Sequence, residues 1–423
     1  MRIGKFTRLH IQNTADYAKA FLRLAALSLI CGAAGGLVGG AFHLSVEAAT
    51  HFREKFPWII GLLPLGGLAI AGLYRLAHMS RDGGTNRIIS AVRSEEHGVP
   101  FVMAPLIFIS TVITHLFGGS AGREGAALQL GGSIGSEVGR IFRADDKDMT
   151  MLVLCGMSAV FSALFGTPVT ATIFAMEVAS VGVIYYAGLV PCLVSALVAY
   201  AISLAMGLEP VSFVLANIPP LSLVSVMQIC ALSVLCALLS ILFCAVMHRS
   251  HHIAEELISN AFLRIAVGGC VIVALTAILG VTDYNGAGMD IVTSAITEGT
   301  AKPEAFLLKM IFTAITIGCG YKGGEIVPTF FIGATFGCTV GGILGLDPGF
   351  AAAIGLAALF CGMVNCPVSS VILATELFGS DGIVFFAAAC AISYALSGYS
   401  GLYSNQKIMY SKLRAEYINR RVK

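Results

Sequence analysis

Long apolar runs, free of any charge, alternate along this chain with short polar breaks. No Asp, Glu, Lys or Arg occurs in 24–46, 56–74, 97–122, 149–176, 178–208, 210–248, 265–282, 326–346, 348–375 or 382–406. A helix needs about 20 mostly apolar residues to cross the hydrocarbon of a bilayer. Most of these runs reach that length, and the longest have room for one long tilted helix or two shorter ones. Backbone in lipid must satisfy its own hydrogen bonds, which leaves helices or a closed barrel. Barrel strands alternate apolar and polar residues over about ten positions. The runs here are continuously apolar, so the pattern predicts an all-α polytopic membrane protein.

The polar stretch 209–220 divides the runs into two groups. The expected organisation is an N-terminal segment over 1–19, a first transmembrane repeat over 20–208 and a linker over 209–220. A second repeat follows over 221–401, then a last helix and short tail over 402–423. A second polar cluster, 249–264, interrupts the second group. About twenty residues follow the last run, too few for a soluble regulatory domain. The beginning is polar and basic (Arg2, Lys5, Arg8, Lys19) and lacks the apolar core of a cleavable signal peptide. The end is basic too (Lys407, Lys412, Arg414, Arg420, Arg421, Lys423). Basic flanks favour the cytoplasmic side, so both termini are expected there, with the protein in the cell membrane.

Composition narrows the class. Of 423 residues, 57% are hydrophobic and 12% charged, and the mean hydropathy is +0.86. Soluble domains carry about 25% charged residues. The formal net charge is only +2. A disordered chain, a nucleic-acid binder and an ordinary cytosolic enzyme are excluded. The 12 cysteines sit in or beside apolar segments (Cys31, Cys155, Cys236 and Cys361 among them) with no CxxC pair. They read as helix-packing residues, not as a disulfide framework or zinc site.

The two groups are related. At a shift of 199 positions, Phe161 meets Phe360, Pro168 meets Pro367, Ile173 meets Ile372 and Glu177 meets Glu376. Gly156 meets Gly355, Gly125 meets Gly324, and Arg123 meets Lys322. Transporters are often built from two such repeats, with the substrate site where they meet. Many runs are interrupted by glycine, as in Gly131-Gly-Ser-Ile-Gly135. Small residues let helices pack closely, which accounts for most of the 48 glycines. Where glycine flanks a charge, a half-helix N-terminus inside the membrane becomes a candidate anion site.

A charge inside the bilayer is a functional candidate by default. Gly119-Ser-Ala-Gly-Arg-Glu-Gly125 follows one charge-free run and opens another. Glu124 belongs at or near a helix start, where a carboxylate could mimic a bound anion, carry a proton and gate a path. The bland alternative is a solvated Arg123–Glu124 pair at the membrane surface. Tyr321-Lys-Gly-Gly-Glu-Ile-Val-Pro328 shares the design. Glu325 is there a proton or coupling residue, or else Lys322 and Glu325 form a local ion pair capping a helix. Glu177 and Glu376 each close an apolar helix that begins after a proline. Their duplication points to structure, with bonds to exposed backbone N–H groups in the other half. Thr85, in Asp82-Gly-Gly-Thr-Asn-Arg-Ile88, could donate to an anion, though Gly-Thr-Asn is also ordinary turn chemistry. Tyr403 could donate as well, or be an interfacial belt residue.

These segments, taken in order, resemble the CLC family of anion channels and proton-coupled anion transporters. The resemblance rests on Gly122-Arg-Glu-Gly125 with Gln129, Phe165-Gly-Thr-Pro168 to Glu177, Gly323-Gly-Glu-Ile-Val-Pro328, Gly362 to Glu376, and Gly401-Leu-Tyr-Ser404. It implies a CLC-type fold of two inverted repeats, with about eighteen tilted and broken helices per subunit, in a homodimer. It places Glu124 on the gating glutamate, Tyr403 on the central tyrosine and Thr85 on the central serine. Ile326 and Val327 fall where backbone amides line the anion site, with Gly122, Arg123 and Gly125 on the facing turn. Three departures resemble the fluoride/proton antiporter branch: Lys322-Gly-Gly-Glu325, the altered serine motif, and Val178 in place of an internal glutamate. Thr85 keeps a hydroxyl, as in chloride transporters. The expected function is therefore proton-coupled halide antiport exporting fluoride. Chloride/proton antiport and a passive chloride channel are the alternatives. The expected partners are a halide, protons, lipid and a second subunit, and no cofactor or metal is expected. An intramembrane hydrolase would need a nucleophile–base pair or metal cluster at depth. The histidines (His51, His97, His248, His251, His252) lie near segment ends with no His-Glu-x-x-His, so no enzyme is expected.

Overall fold

A computed structural model describes residues 2–80, 82–93 and 98–422, with side chains from residue 18 onward. His97, Lys423 and the side chains of Arg2, Lys5 and Arg8 lie outside the described residues. The first half holds α1 (Arg2–Lys55), α2 (Leu63–Leu76), α3 (Thr85–Val92), α4 (Met103–Leu116), α5 (Glu124–Ile141), α6 (Asp146–Phe165), α7 (Pro168–Glu177) and α8 (Leu189–Ala205). The second half holds α9 (Leu223–Leu257), α10 (Ala261–Leu279), α11 (Met289–Thr297), α12 (Ala305–Gly318), α13 (Ile326–Ile343), α14 (Pro348–Val364), α15 (Pro367–Phe378) and α16 (Ile383–Leu396). Two 3-10 helices, Pro57–Leu62 and Tyr186–Gly188, precede α2 and α8. Among the described residues, seven helices are long and apolar enough to cross a membrane. Several others, such as Pro367–Phe378, are apolar but too short. This multi-pass fold of full and broken helices is the one the charge-free runs predict.

The halves share one plan, visible in their helix breaks. Gly166 closes α6 in the left-handed region at φ 70°, and Asn365 closes α14 there at φ 58°. Each break is followed by proline, whose fixed φ opens the next helix. Glycine sets the approach of α5 to α6 and of α13 to α14. A Cβ at Gly135 would overlap the Leu152 carbonyl, and one at Gly333 would lie 2.6 Å from the Gly355 carbonyl. Helix packing this close is what small residues allow where lipid gives no hydrophobic drive.

Two expectations need correction. The register between the halves is not uniform: α6 has 20 residues and α14 has 17. Before that helix the matching positions lie three residues further along than the sequence shift implies. Gly122 therefore pairs with Gly324, and the residue before α5, Arg123, corresponds to the residue before α13, Glu325. The second correction concerns the expected last helix over 402–423. The chain there forms β2 (Lys407–Tyr410) and β3 (Tyr417–Arg421), antiparallel to each other, with β2 parallel to β1 (Ser180–Val181). The segment is too polar for a membrane helix. Two of its apolar residues, Ile408 and Val422, are buried together with Val181.

Candidate functional site

The halves meet at an isolated antiparallel bridge. Gly122 N–H donates to the Gly324 carbonyl, and Gly324 N–H to the Gly122 carbonyl, each at 2.7 Å. A reciprocal antiparallel pair has local two-fold symmetry, so α5 and α13, which start just beyond it, leave in opposite directions. That is the geometry of inverted repeats. The two helix starts are in contact: a Cβ at Gly125 would lie 2.9 Å from Gly324 Cα. Two N-termini thus bring their free N–H groups and positive dipole ends to one place in the membrane.

Glu124, fully buried, occupies this place. Its Oε2 accepts from Arg123 N–H at 2.9 Å, and Val327 of the other half lies beside it: a Cβ at Gly122 would come within 2.6 Å of that Oε2 and 3.0 Å of Val327 Cβ. Its Oε1 lies 3.6 Å from Arg123 Nε. The carboxylate sits as an anion would, on a main-chain amide where two helix starts meet. A solvated surface pair does not fit this burial. The site opens to a cavity of about 550 Å³ lined by Arg123, Glu124, Val327, His43, Arg53 and His115, among others.

Beside the turn that carries Glu124, Thr85 starts α3. Its hydroxyl donates to the Gly125 carbonyl at 3.3 Å and accepts from Gln129 Nε2 at 3.2 Å. Glu325 points to the same turn: a Cβ at Gly125 would lie 3.1 Å from its Oε2. Tyr403 is buried, and among the described residues its hydroxyl has no hydrogen-bond partner. Glu325 and Glu124 are among its electrostatic neighbours. Ile326 and Val327 form the buried first turn of α13. The structure thus gathers Thr85, Gly122, Gly125, Glu124, Glu325, Ile326, Val327 and Tyr403 around one bridge. Lys322 turns away, with Nζ 4.4 Å from the centre of the Tyr74 ring.

Glu177 and Glu376 lie apart from this group. Glu177 accepts from the N–H groups of Val368 and Ser369 at 3.2 and 2.9 Å, at the start of α15. Glu376 accepts from Val169 and Thr170 at 3.1 and 2.8 Å, at the start of α7. Each glutamate caps the helix of the opposite half.

Sequence reasoning missed a buried polar cluster around the 115–118 and 284–286 segments, next to the Gly119–Glu124 turn. Lys309, fully buried in α12, donates to the carbonyls of Gly286 at 2.7 Å and Tyr284 at 3.3 Å. Asn285 Nδ2 donates to the Gly118 carbonyl at 2.9 Å. Arg53 Nη1 donates to the His115 carbonyl at 2.9 Å. Lys309 was legible as the lone charge in an apolar stretch. Arg53 was not, because it sits among charges at the end of its run and reads as solvated.

A membrane protein of two inverted repeats, with a carboxylate buried where two facing helix starts meet, is built as an ion-transport protein. The chain matches the family model described as voltage gated chloride channel over residues 66–398, and it belongs to that family, the CLC proteins. It is a CLC-type anion transporter. It is 36% identical to a chloride/fluoride channel protein of Pseudomonas syringae pv. tomato, over 97% of this chain and 91% of that one. It is 24% identical to a H(+)/Cl(-) exchange transporter, ClcA, of Vibrio campbellii, over 83% and 81%. Among solved structures, a CLC-type fluoride/proton antiporter aligns with TM-score 0.88 and 30% identity, over 91% of this chain and 98% of that one. A slow cyanobacterial Cl-/H+ antiporter aligns with TM-score 0.77 at 17% identity, over 89% and 94%, a likeness of fold.

Proposed function

We propose that this protein exchanges a halide for protons and that the exported anion is fluoride. The observation that carries the reading is the Glu124 carboxylate, fully buried on the Arg123 N–H where the two helix starts meet and an anion would bind. Displaced by an anion, Glu124 swings outward into the cavity, takes a proton and returns neutral. One group thus blocks the path and carries the coupled ion. The amides of Ile326 and Val327 and the turn Gly122–Arg123–Gly125 coordinate the anion, with Thr85 and Tyr403 on the inner side. Glu325, beside Gly125 and Tyr403, supplies the inner proton step where Val178 stands in place of a glutamate. Glu177, Glu376 and Lys322 are structural charges.

Fluoride is supported by Lys322-Gly-Gly-Glu325 and by the relatives, among them a chloride/fluoride channel protein and a fluoride/proton antiporter. Chloride/proton antiport is the second reading, favoured by the Thr85 hydroxyl facing the site. The 209–220 stretch, which carries neither helix nor strand, serves as the inter-repeat linker between 20–208 and 221–401. The protein works as a homodimer in the cell membrane, with both termini in the cytoplasm.

The test uses proteoliposomes loaded with fluoride or chloride. Anion release is followed with a selective electrode while internal pH is recorded. Fluoride release that drives proton uptake is the expected result. Chloride release that drives proton uptake transfers the reading to chloride, and anion release without proton movement refutes exchange.

A further inference from the structure

Two cavities lie at opposite ends of one membrane-spanning segment, Pro57–Leu76. The first reaches Pro57 and contains Glu124. The second, of about 330 Å³, reaches Tyr74 and Arg75 at the other end. The spanning segment Ala18–Lys55 ends at the first cavity, which Arg53 and Glu54 line, so it begins on the face of the second. That is the face of the basic N-terminal segment, where the cytoplasm is expected. Neither Glu124, Glu325, Thr85 nor Tyr403 lines the second cavity. Residues from the end of α2, the end of α9 and the start of α10 line it, at the depth where three apolar helices give way to charge.

Its polar lining is rich in hydrogen-bond donors that lack acceptors. Tyr74 is 5% exposed, and its hydroxyl has no hydrogen-bond partner among the described residues. Arg264 donates from Nη1 to the Ile258 carbonyl at 3.2 Å, while its buried Nε has no partner among the described residues. Lys322 rests its Nζ 4.4 Å from the centre of the Tyr74 ring, and Arg75 lies over the Phe262 ring. The counter-charges in the lining are Asp82 and Glu255. Asp82 is faced by Arg87 from α3, with Nη1 at 3.9 Å. Glu255 is exposed at the mouth, 3.9 Å from Arg264 Nη1 and 4.0 Å from His251 Nε2. With Asp82 opposed by Arg87, three cations stand against one solvated carboxylate. A buried donor without an acceptor is costly, more so when charged, so this lining suits an anion with several acceptor oxygens.

We propose that this cavity binds the phosphate of an anionic phospholipid of the cytoplasmic leaflet. Phosphate oxygens accept from Arg264 Nε, the Tyr74 hydroxyl and Lys322 Nζ, charge-assisted bonds of the strong kind. The rest of the wall is largely apolar, with Ile70, Ala71, Phe262 and Ile265, and meets the glycerol and first methylenes. Leu76 and Leu263, next to Arg75 and Arg264 in the chain, are exposed apolar side chains and give the acyl chain a surface to follow into the bilayer. A free phosphate would use the donors and leave the apolar wall against water. The cytoplasmic leaflet is the one that carries anionic lipid, and basic pockets between helices on that side suit its headgroups. The choline cation of a zwitterionic lipid would meet Arg75, Arg264 and Lys322, which selects for an anionic headgroup.

The test uses the whole chain, purified in detergent, and follows bound lipid by native mass spectrometry. The probes are phosphatidylglycerol, phosphatidylcholine and inorganic phosphate. Phosphatidylglycerol is expected to bind at least tenfold more tightly than phosphatidylcholine. Arg264→Gln should weaken its binding about tenfold, as expected for one bond between charged partners, and Tyr74→Phe severalfold. Arg249→Gln removes one positive charge from α9 at an exposed position outside the cavity and should leave binding unchanged. If Arg264→Gln does not fold, Tyr74→Phe, which keeps the ring under Lys322, decides. Equal binding of the two lipids, unchanged phosphatidylglycerol binding in Tyr74→Phe, or an equal loss in Arg249→Gln would overturn the site. Inorganic phosphate bound as tightly as phosphatidylglycerol would overturn the lipid as its ligand.

Discussion

The turn that starts α5 and the turn that starts α13 share a plan and differ in charge. Both lead from the Gly122–Gly324 bridge into an 18-residue helix packed through glycine on its neighbour. In the first turn the residues at the helix start are Arg123 and Glu124; in the second they are Glu325 and Ile326. The first carboxylate lies on the helix start and accepts from the Arg123 N–H beside Val327 of the other half. The second lies one residue earlier and turns to Gly125 and Tyr403. Duplication supplies two positive helix ends facing one point, and asymmetry of charge supplies a direction. A site symmetric in both respects would hold an anion with nothing to distinguish entry from exit.

That contrast can be broken at the site and sharpened at the scaffold. The largest effect belongs to Glu124→Gln. It removes the titrating group and the negative charge from the anion position, so proton uptake should fall at least tenfold while anion release persists. Unchanged coupling in this variant would end the gating role of Glu124. Glu325→Gln should also depress proton uptake, with Glu124 still able to block the path. If the two variants behave alike in anion leak, the asymmetry has no functional weight.

The scaffold positions should respond as pairs. Gly135→Ala and Gly337→Ala each force a methyl against a carbonyl of the adjacent helix, at Leu152 and Ala351. Overpacking of this kind costs about 1–3 kcal/mol, and both should lower the melting temperature in detergent by similar amounts. A large difference between them would mean that one half bears more of the packing.

Next come the reciprocal caps. Glu177→Gln and Glu376→Gln each replace a carboxylate bonded to two N–H groups, an exchange of about 1.5–3 kcal/mol for bonds to a charged group. Glu177 is buried and Glu376 half-buried, so thermal unfolding should show the larger loss for Glu177→Gln. The reverse order would contradict burial as the cause.

The smallest effect tests a group found at only one helix break. Lys412, outside the membrane-spanning segments, donates to Asn365 Oδ1 and, at 2.8 Å, to Ser397 Oγ. Burial lowers its pKa from 10.5 to about 8. The unfolded chain keeps the proton to about 10.5 and the folded chain only to about 8, so the unfolded state binds more protons in between. Stability should rise with pH across that window. Lys412→Met should flatten the rise, and a slope that survives the substitution would assign the titration elsewhere. Gly166, at the matching break of the first half, packs instead on Pro210.

Much of the site was legible because charge is so scarce in this chain. Arg123, Glu124, Lys322 and Glu325 stand out against apolar surroundings, and the glycines beside them mark helix starts. Glu177 and Glu376 were legible as a pair because they recur in one register. The pairing of Arg123 with Lys322 was misplaced. A turn of difference between α6 and α14 shifts the register, and apolar residues inside a helix leave no mark of where it falls. Arg53 and Asn285 were missed because their carbonyl partners come from distant segments, and a main-chain acceptor has no side-chain signature.

The sequence by itself determined that this is a polytopic helical membrane protein with a duplicated core, because a bilayer admits little but long apolar helices and makes every buried charge conspicuous. It also singled out Glu124, Glu325, Glu177 and Glu376 as the candidate carboxylates. Only the tertiary structure decided that Gly122 and Gly324 pair, that Glu124 is buried where the two helix starts meet, that Lys309 holds the Tyr284–Gly286 loop and that the tail is a hairpin. These depend on contacts between residues far apart in the chain, where main-chain N–H and carbonyl groups, identical at every position, do the binding.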